Sequence, residues 1–272
     1  MSEHETAARL APAVYGRELR WDDPAEEYHE ASKLRPATVS RELRGIAMLE
    51  RSPVLQRAAT RSVRRHRSHP RVGLPPPHLG ETSLAKALAA RRSTRTFSDE
   101  PLALDRLSTL LWAAYGPTGA LDVGYDDVSQ RTRTAPSAGA LYPLELYLAP
   151  LRVEGLEPRI HHYDPLAHEL ERLPTPIEPT GLSPDPALPG TAAAVLFAAA
   201  VFWRSRIKYG LRAYRFTLLE AGHAMQNLLL AAEACDLGAV VVGGLFDDRV
   251  DRLLGVDGTD ESVLVGACVG NR

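Results

Sequence analysis

Arg91-Arg92-Ser93-Thr94-Arg95-Thr96-Phe97 gathers three cations and a hydroxyl where a helix ends. Just upstream, Thr82-Ser83-Leu84-Ala85-Lys86-Ala87-Leu88-Ala89-Ala90 puts Leu84 and Leu88 on one helical face behind a Thr or Ser cap. Arg91 and Arg95 can donate charge-assisted hydrogen bonds to a phosphate, and Ser93 can add a third. A solvated basic helix end, favoured by the macrodipole, has the same composition. The stretch therefore takes its meaning from the motifs downstream of it.

Three further signals come in order. Arg133-Thr134-Ala135-Pro136-Ser137-Ala138-Gly139-Ala140-Leu141-Tyr142-Pro143 places small residues between two prolines before the strand-like Leu144-Glu145-Leu146-Tyr147-Leu148. That composition suits backbone lying close to a flat ligand. Lys208-Tyr209-Gly210 precedes Leu219-Glu220-Ala221-Gly222-His223 and the Ala-rich run over 224–234. Val240-Val241-Val242-Gly243-Gly244 then reads as a buried strand breaking into a glycine pair.

Together these motifs resemble the FMN-dependent nitroreductase superfamily. More narrowly they resemble its SagB-type dehydrogenases, which oxidise azolines to azoles in ribosomally made peptides. The narrower likeness rests on residues 136–143, 208–210 and 219–223, the terminal Val269-Gly270, and Tyr28-His29-Glu30-Ala31-Ser32-Lys33-Leu34 upstream. It implies an α+β nitroreductase-like fold, a mainly antiparallel sheet flanked by helices, with a long central helix at a homodimer interface. It divides the chain into an N-terminal arm with a basic, Pro-rich linker (1–79) and an FMN-binding domain (80–272).

The resemblance also implies roles. Arg91, Arg92, Ser93 and Arg95 would hold the FMN phosphate and ribityl chain. Pro136, Ser137, Ala138 and Gly139 would lie along the flavin, from the other subunit of the dimer. Backbone N–H groups of Gly243 and Gly244 would face flavin N5, and Arg272 would sit near the phosphate. Lys208 and Tyr209 match the family's catalytic pair. Converting an azoline to an azole removes one hydrogen as a proton, which needs a base, and one as hydride to oxidised FMN. A free lysine is mostly protonated at neutral pH, so burial or a neighbouring cation such as Arg206 or Arg212 is expected to assist. The implied partners are a second copy, a peptide bearing azolines, and a cyclodehydratase. A general NAD(P)H-dependent nitroreductase and a non-catalytic scaffold of a peptide-modifying complex are the alternatives. Without the resemblance, Lys208 and Tyr209 would read as the cap of a turn.

Composition agrees with a soluble enzyme. With 272 residues, 44% of them hydrophobic, the chain can bury a full core. A net charge of −2 does not suggest a nucleic-acid binder. Cys235 and Cys268 are the only cysteines, so a reducing cytoplasm is expected rather than a disulfide framework. The longest apolar run, 191–203, is too short to span a membrane, and the acidic, polar start lacks a signal-peptide pattern.

Between Arg41 and Arg71, nine arginines face only Glu42 and Glu50, a local charge of +7. A basic surface helix packing on the body is expected, with an electrostatic guide for an acidic leader peptide or partner enzyme as the sharper reading. Gly73-Leu74-Pro75-Pro76-Pro77 reads as a stiff spacer. Leu104, Leu107, Leu110, Leu111 and Ala114 recur at helical spacing. Residues 144–149 alternate as a strand, and 160–163 with 168–173 read as a hairpin. Six prolines over 174–190 mark a loop, 192–201 a central strand, and 214–237 a helix of roughly 36 Å. Strands at 240–244 and 262–269 flank a short helix near 248–254.

No metal site is expected. His161 and His162 are adjacent and would point to opposite faces of a strand. Glu220 and His223 can share a helical face, but no third ligand accompanies them, so a hydrogen-bonded pair is expected. The Gly-x-Ser-x-Gly elbow, the P-loop and the Gly-x-Gly-x-x-Gly fingerprint are missing from the sequence.

Overall fold

The computed structural model describes residues 12–13, 24–59, 63–66, 68–125, 128–177, 181–185 and 191–272. Parts of the basic segment (60–62 and 67) and of the Pro-rich loop (178–180 and 186–190) lie outside the described residues. In chain order the described elements begin with helices α1 (Pro24–Ala31), α2 (Val39–Glu42), α3 (Arg44–Arg51) and α4 (Pro53–Ala59). Strand β1 (Arg71–Gly73), α5 (Leu84–Ala90), α6 (Leu104–Tyr115), β2 (Pro117–Tyr125) and β3 (Val128–Arg133) come next. After them come β4 (Leu144–Pro150), β5 (Arg159–Asp164), β6 (Glu169–Pro176), β7 (Ala194–Val201), α7 (Phe202–Tyr209) and α8 (Arg212–Ala234). The chain closes with β8 (Leu237–Val242), α9 (Asp247–Leu254) and β9 (Glu261–Asn271).

Seven strands form one sheet in the order β1-β6-β5-β4-β7-β9-β8, every pairing antiparallel. The α+β fold with a mainly antiparallel sheet is thus as expected from the motifs. Strand alternation assigns side chains to two cores. Leu144, Leu146 and Leu148 of β4 join a cluster containing α6 and α8, while Tyr147 and Ala149 join one on the opposite face with Phe97, Phe197 and Val250. With both faces covered, β7 reads Ala-Val-Leu-Phe-Ala-Ala-Ala-Val without a polar break.

On α6, the spacing of Leu107, Leu110, Leu111 and Ala114 makes one stripe, and all four are fully buried. Burying a leucine in this way contributes about 1.5–3 kcal/mol. Ser83 caps α5 by accepting a hydrogen bond from Lys86 N at 3.2 Å. The long helix α8 buries Ala213, Thr217, Glu220, Ala224, Leu228 and Ala231 on the sheet, yet leaves Leu218 and Leu219 44% and 58% exposed.

Three regions differ from the sequence expectations. Residues 71–73, expected in the N-terminal arm and linker, add the edge strand β1, pairing Val72 with Leu170. Pro117–Tyr125 and Val128–Arg133 form a separate β2–β3 ribbon. Lys208 and Tyr209 lie in the last turn of α7 rather than in an open turn.

The basic segment packs on the body through α3. A Cβ at Gly45 would collide with the Ile207 carbonyl oxygen, so only glycine lets α3 approach α7 this closely. Arg212 and Arg215 hold the end of α1 through the Ser32 carbonyl (3.2 Å) and hydroxyl (2.8 Å).

Candidate functional site

The Arg91–Phe97 stretch leaves α5 in extended conformation and runs beside β8. Ser93 bridges Ala239 in parallel, and Thr94 N donates to the Ala239 carbonyl at 3.0 Å. A Cβ at Gly238 would lie 2.8 Å from the Thr94 methyl, so glycine permits this contact. Arg92 folds back and donates to the carbonyls of Ala89 (3.0 Å) and Arg91 (2.9 Å), satisfying acceptors left open at the helix end. The Arg91 and Arg95 guanidinium groups hold no ion-pair or hydrogen-bond partner among the described residues, and Ser93 is exposed beside them. Two guanidinium groups without a described partner and an exposed hydroxyl therefore lie within five residues of one extended segment.

Two residues along the same strand, the Leu237 carbonyl accepts from Arg272 Nε at 3.1 Å. The Arg272 guanidinium also pairs with Glu233 and lies 3.8 Å from Asp236, so it ties the end of α8 to β8. Beyond β8, Gly243 and Gly244 are exposed, and a Cβ on either would meet only open space. The protein's own packing makes no demand for glycine there.

The loop after β3 is built differently. Gly139 (φ 62°), Ala140 (φ 51°) and Tyr142 (φ 47°) all occupy the left-handed region, a conformation costly for the last two. The side chains around it compensate. Ser137 Oγ accepts from Tyr142 N at 2.9 Å, Arg133 N donates to Tyr142 Oη at 2.9 Å, and Gln130 Nε2 donates to the carbonyls of Gly139 and Ala140. Pro136 is exposed, and Ser137 and Ala138 are half-buried.

Lys208 and Tyr209 close on this loop. A Cβ at Gly139 would stand 2.5 Å from Tyr209 Oη and 2.8 Å from Lys208 Nζ. Lys208 Nζ lies 5.5 Å from the centre of the Tyr209 ring, and burial pushes the Tyr209 hydroxyl above its usual pKa. Arg206 stacks on Trp203 at 4.7 Å, and Arg212 holds Ser32, so both neighbouring cations have other partners.

Beneath the loop lies a polar group that the sequence pairs with His223 instead. Glu220, 2% exposed on α8, accepts from the hydroxyls of Tyr115 and Ser137. Burial outweighs those bonds and pushes its pKa up to about 7. Tyr115 Oη also accepts from Leu144 N at 3.3 Å, so Glu220 ties both ends of the 137–144 segment to the helix. The Arg133 guanidinium lies 4.3 Å over the Tyr115 ring and 4.7 Å over the Tyr142 ring. His223 is exposed, so the expected Glu220–His223 pair does not form. A glutamate at a core-facing phase of an apolar helix was the available signal.

His162 is fully buried and bridges two carboxylates, Glu145 at 2.8 Å and Glu171 at 3.0 Å. Burial disfavours its charge, but the two carboxylates outweigh that and raise its pKa to about 9. His66, His162 and Glu171 offer ligand atoms within 4.8 Å of one another. Both His162 nitrogens are already engaged, however, and an imidazolium must lose its proton before it can bind a metal.

Within one chain, then, the structure brings Gly139 to Lys208 and Tyr209, and Ser93 to β8 near the Arg272 contact. Among the described residues no hydrogen bond joins the 136–139 loop to Arg91–Arg95 or to Gly243–Gly244. No described helix is long and apolar enough to cross a membrane.

A model described as "Nitroreductase family" matches residues 88–271, and the chain belongs to that family of oxidoreductases. It is 35% identical over 185 residues to "Putative nitroreductase MJ1384" of Methanocaldococcus jannaschii, covering 65% of this chain and 87% of that protein. It is 31% identical over 134 residues to the microcin B17-processing protein McbC of Escherichia coli, covering 46% and 49%. A chain of the E. coli microcin synthetase McbBCD complex shares the fold, with TM-score 0.56 and 21% identity over 94% of this chain and 99% of that one.

Proposed function

We propose, from its place in this family, that the chain is an FMN-dependent dehydrogenase that oxidises azoline rings in a peptide to azoles. The observation that carries the reading is the closure of Lys208 and Tyr209 on Gly139, which brings an amine and a hydroxyl to a strained loop. The 31% identity to a microcin B17-processing protein supports a peptide substrate.

The residues present suit FMN. Arg91, Arg95 and Ser93 offer uncommitted donors for one phosphate, and Gly243–Gly244 leaves open room where a flat ring could lie on backbone. Arg92 supports this set by finishing α5, and Arg272 by fixing β8 beneath it. Bound FMN would supply the acceptor for one ring hydrogen and its electron pair. Lys208, as the free amine, takes the other ring hydrogen as a proton, and Tyr209 orients that amine. Pro136, Ser137, Ala138 and Gly139 present the backbone that would lie along the flavin, from the other subunit of the dimer.

The functional unit is a homodimer in this account. Leu84 and Leu88 are 65% and 55% exposed, and with Leu218 and Leu219 they give the single chain an uncovered apolar surface. A cyclodehydratase would supply the azoline. The 35% identity to a protein named as a nitroreductase favours a second reading, a general NAD(P)H-dependent reductase.

One experiment separates the two. Protein loaded with FMN is incubated with an azoline peptide, oxygen and no NAD(P)H, and the peptide is weighed by mass spectrometry. Loss of two hydrogens per ring supports the dehydrogenase. An unchanged peptide, with flavin rapidly bleached by NAD(P)H, supports the general reductase instead.

A further inference from the structure

Two acceptors at the exit of the 136–143 loop converge on one side chain of the helix that carries Lys208. Arg204 lies on α7 one helical turn before Lys208, at the i, i+4 spacing that puts both on one face. Its Nη1 donates to the Tyr142 carbonyl at 3.3 Å, and its Nη2 pairs with the Glu145 carboxylate. Tyr142 is the last of the three left-handed residues, and Glu145 follows in β4. The guanidinium therefore spans the point where the loop becomes a strand, just beyond the Gly139 that Lys208 faces.

The Glu145 end of this link is fixed. Glu145 is 2% exposed, and it is also held by His162 Nε2 at 2.8 Å and by Arg64 N at 2.8 Å. Burial would raise its pKa, but Arg204 and His162 hold it down to about 2, so it stays ionised. An ion pair this deep is a weak stabiliser, because its attraction only roughly offsets the desolvation of both charges. What it provides here is one fixed geometry between α7 and β4. A guanidinium suits that task better than an ammonium, since its planar fork reaches two acceptors in set directions. We propose that Arg204 is a positioning residue: it sets the separation between α7 and the loop, and so where the Lys208 amine stands against Gly139. The proposal deepens the dehydrogenase reading and rests on it for the step that Lys208 serves.

The test reads the Lys208 amine directly. Lys33, Lys86 and Lys208 are the only lysines, so trace labelling with acetic anhydride and peptide mass spectrometry follow each one, with no flavin needed. Lys86, exposed on α5, is the internal reference, and the half-buried Lys208 should label more slowly than it in wild type. Arg204→Met should raise Lys208 labelling several-fold at unchanged Lys86 labelling. Arg215→Met, which releases α1 from α8 instead, should leave Lys208 as in wild type. Arg204→Lys keeps a charge beside Glu145, and so the fold, but loses the fork; its Lys208 labelling should lie between. With FMN and a thiazoline peptide, Arg204→Met should lower kcat by about 10- to 10²-fold at nearly unchanged KM. Lys208 labelling as fast as Lys86 in wild type, wild-type labelling in both Arg204 variants, an equal rise in Arg215→Met, or a loss confined to KM overturns the positioning role. Failure of wild type to oxidise the peptide is a separate result, which overturns the dehydrogenase reading and leaves the labelling comparison standing.

Discussion

The Tyr209 hydroxyl sits where a side chain at Gly139 would begin, 2.5 Å from the position of its missing Cβ. Glycine at 139 thus serves two ends: it accepts φ 62°, and it leaves room for Lys208 and Tyr209. Gly139→Ala should cost about 1–3 kcal/mol in backbone strain and push Lys208 and Tyr209 aside. The expected result is retained flavin with azoline oxidation lowered on the order of 10²-fold, read by absorbance and peptide mass.

Replacing Arg91 and Arg95 together by Ala should strip FMN from the protein. Each lost charge-assisted contact costs about 1.5–3 kcal/mol. Flavin content after gel filtration checks this, and full retention would mean that the phosphate is held elsewhere.

Glu220 links the loop to pH. Its pKa is raised to about 7 from an ordinary 4.5, so the folded state binds the proton more tightly. Its contribution is fully present below about pH 4.5 and is lost as pH rises through 7. The partners it faces are Tyr115, Ser137, Arg133 and Arg204. Glu220→Gln should flatten the stability profile between pH 4.5 and 7, a difference on the order of 3 kcal/mol in thermal melts. An unchanged profile would remove Glu220 as the titrating group.

His162 acts in the next window. Its pKa is raised to about 9 between Glu145 and Glu171, so its contribution is complete below about pH 6.5 and is lost as pH rises through 9. Arg64, Arg71, Arg204 and His66 border the same carboxylates. His162→Gln should abolish the wild-type loss of stability between pH 6.5 and 9, measured by urea unfolding.

The parts of the fold written as periodicity were legible in the sequence. The leucine stripe of α6, the unbroken apolar run of β7 and the β5–β6 hairpin each depend on neighbours close in the chain. Elements defined by distant partners were not. β1 is three residues long and exists only because β6, about a hundred residues on, pairs with it. Helix α7 was hidden because Phe202-Trp203 continues the apolar run of β7, although the backbone turns there. In the site, Gly139, Lys208 and Tyr209 were legible as separate motifs, but their contact was not. Glu220 was visible as a charge in an apolar helix, yet only its burial beneath the loop gives it a role.

If Lys208 is the base of azoline oxidation, its loss must show in single-turnover oxidation of a thiazoline peptide by FMN-loaded Lys208→Ala. The expected variant is yellow, bleaches with dithionite as wild type does, and oxidises the peptide about 10²–10⁴-fold more slowly. Oxidation at the wild-type rate would contradict it and leave Lys208 as a structural residue at the end of α7.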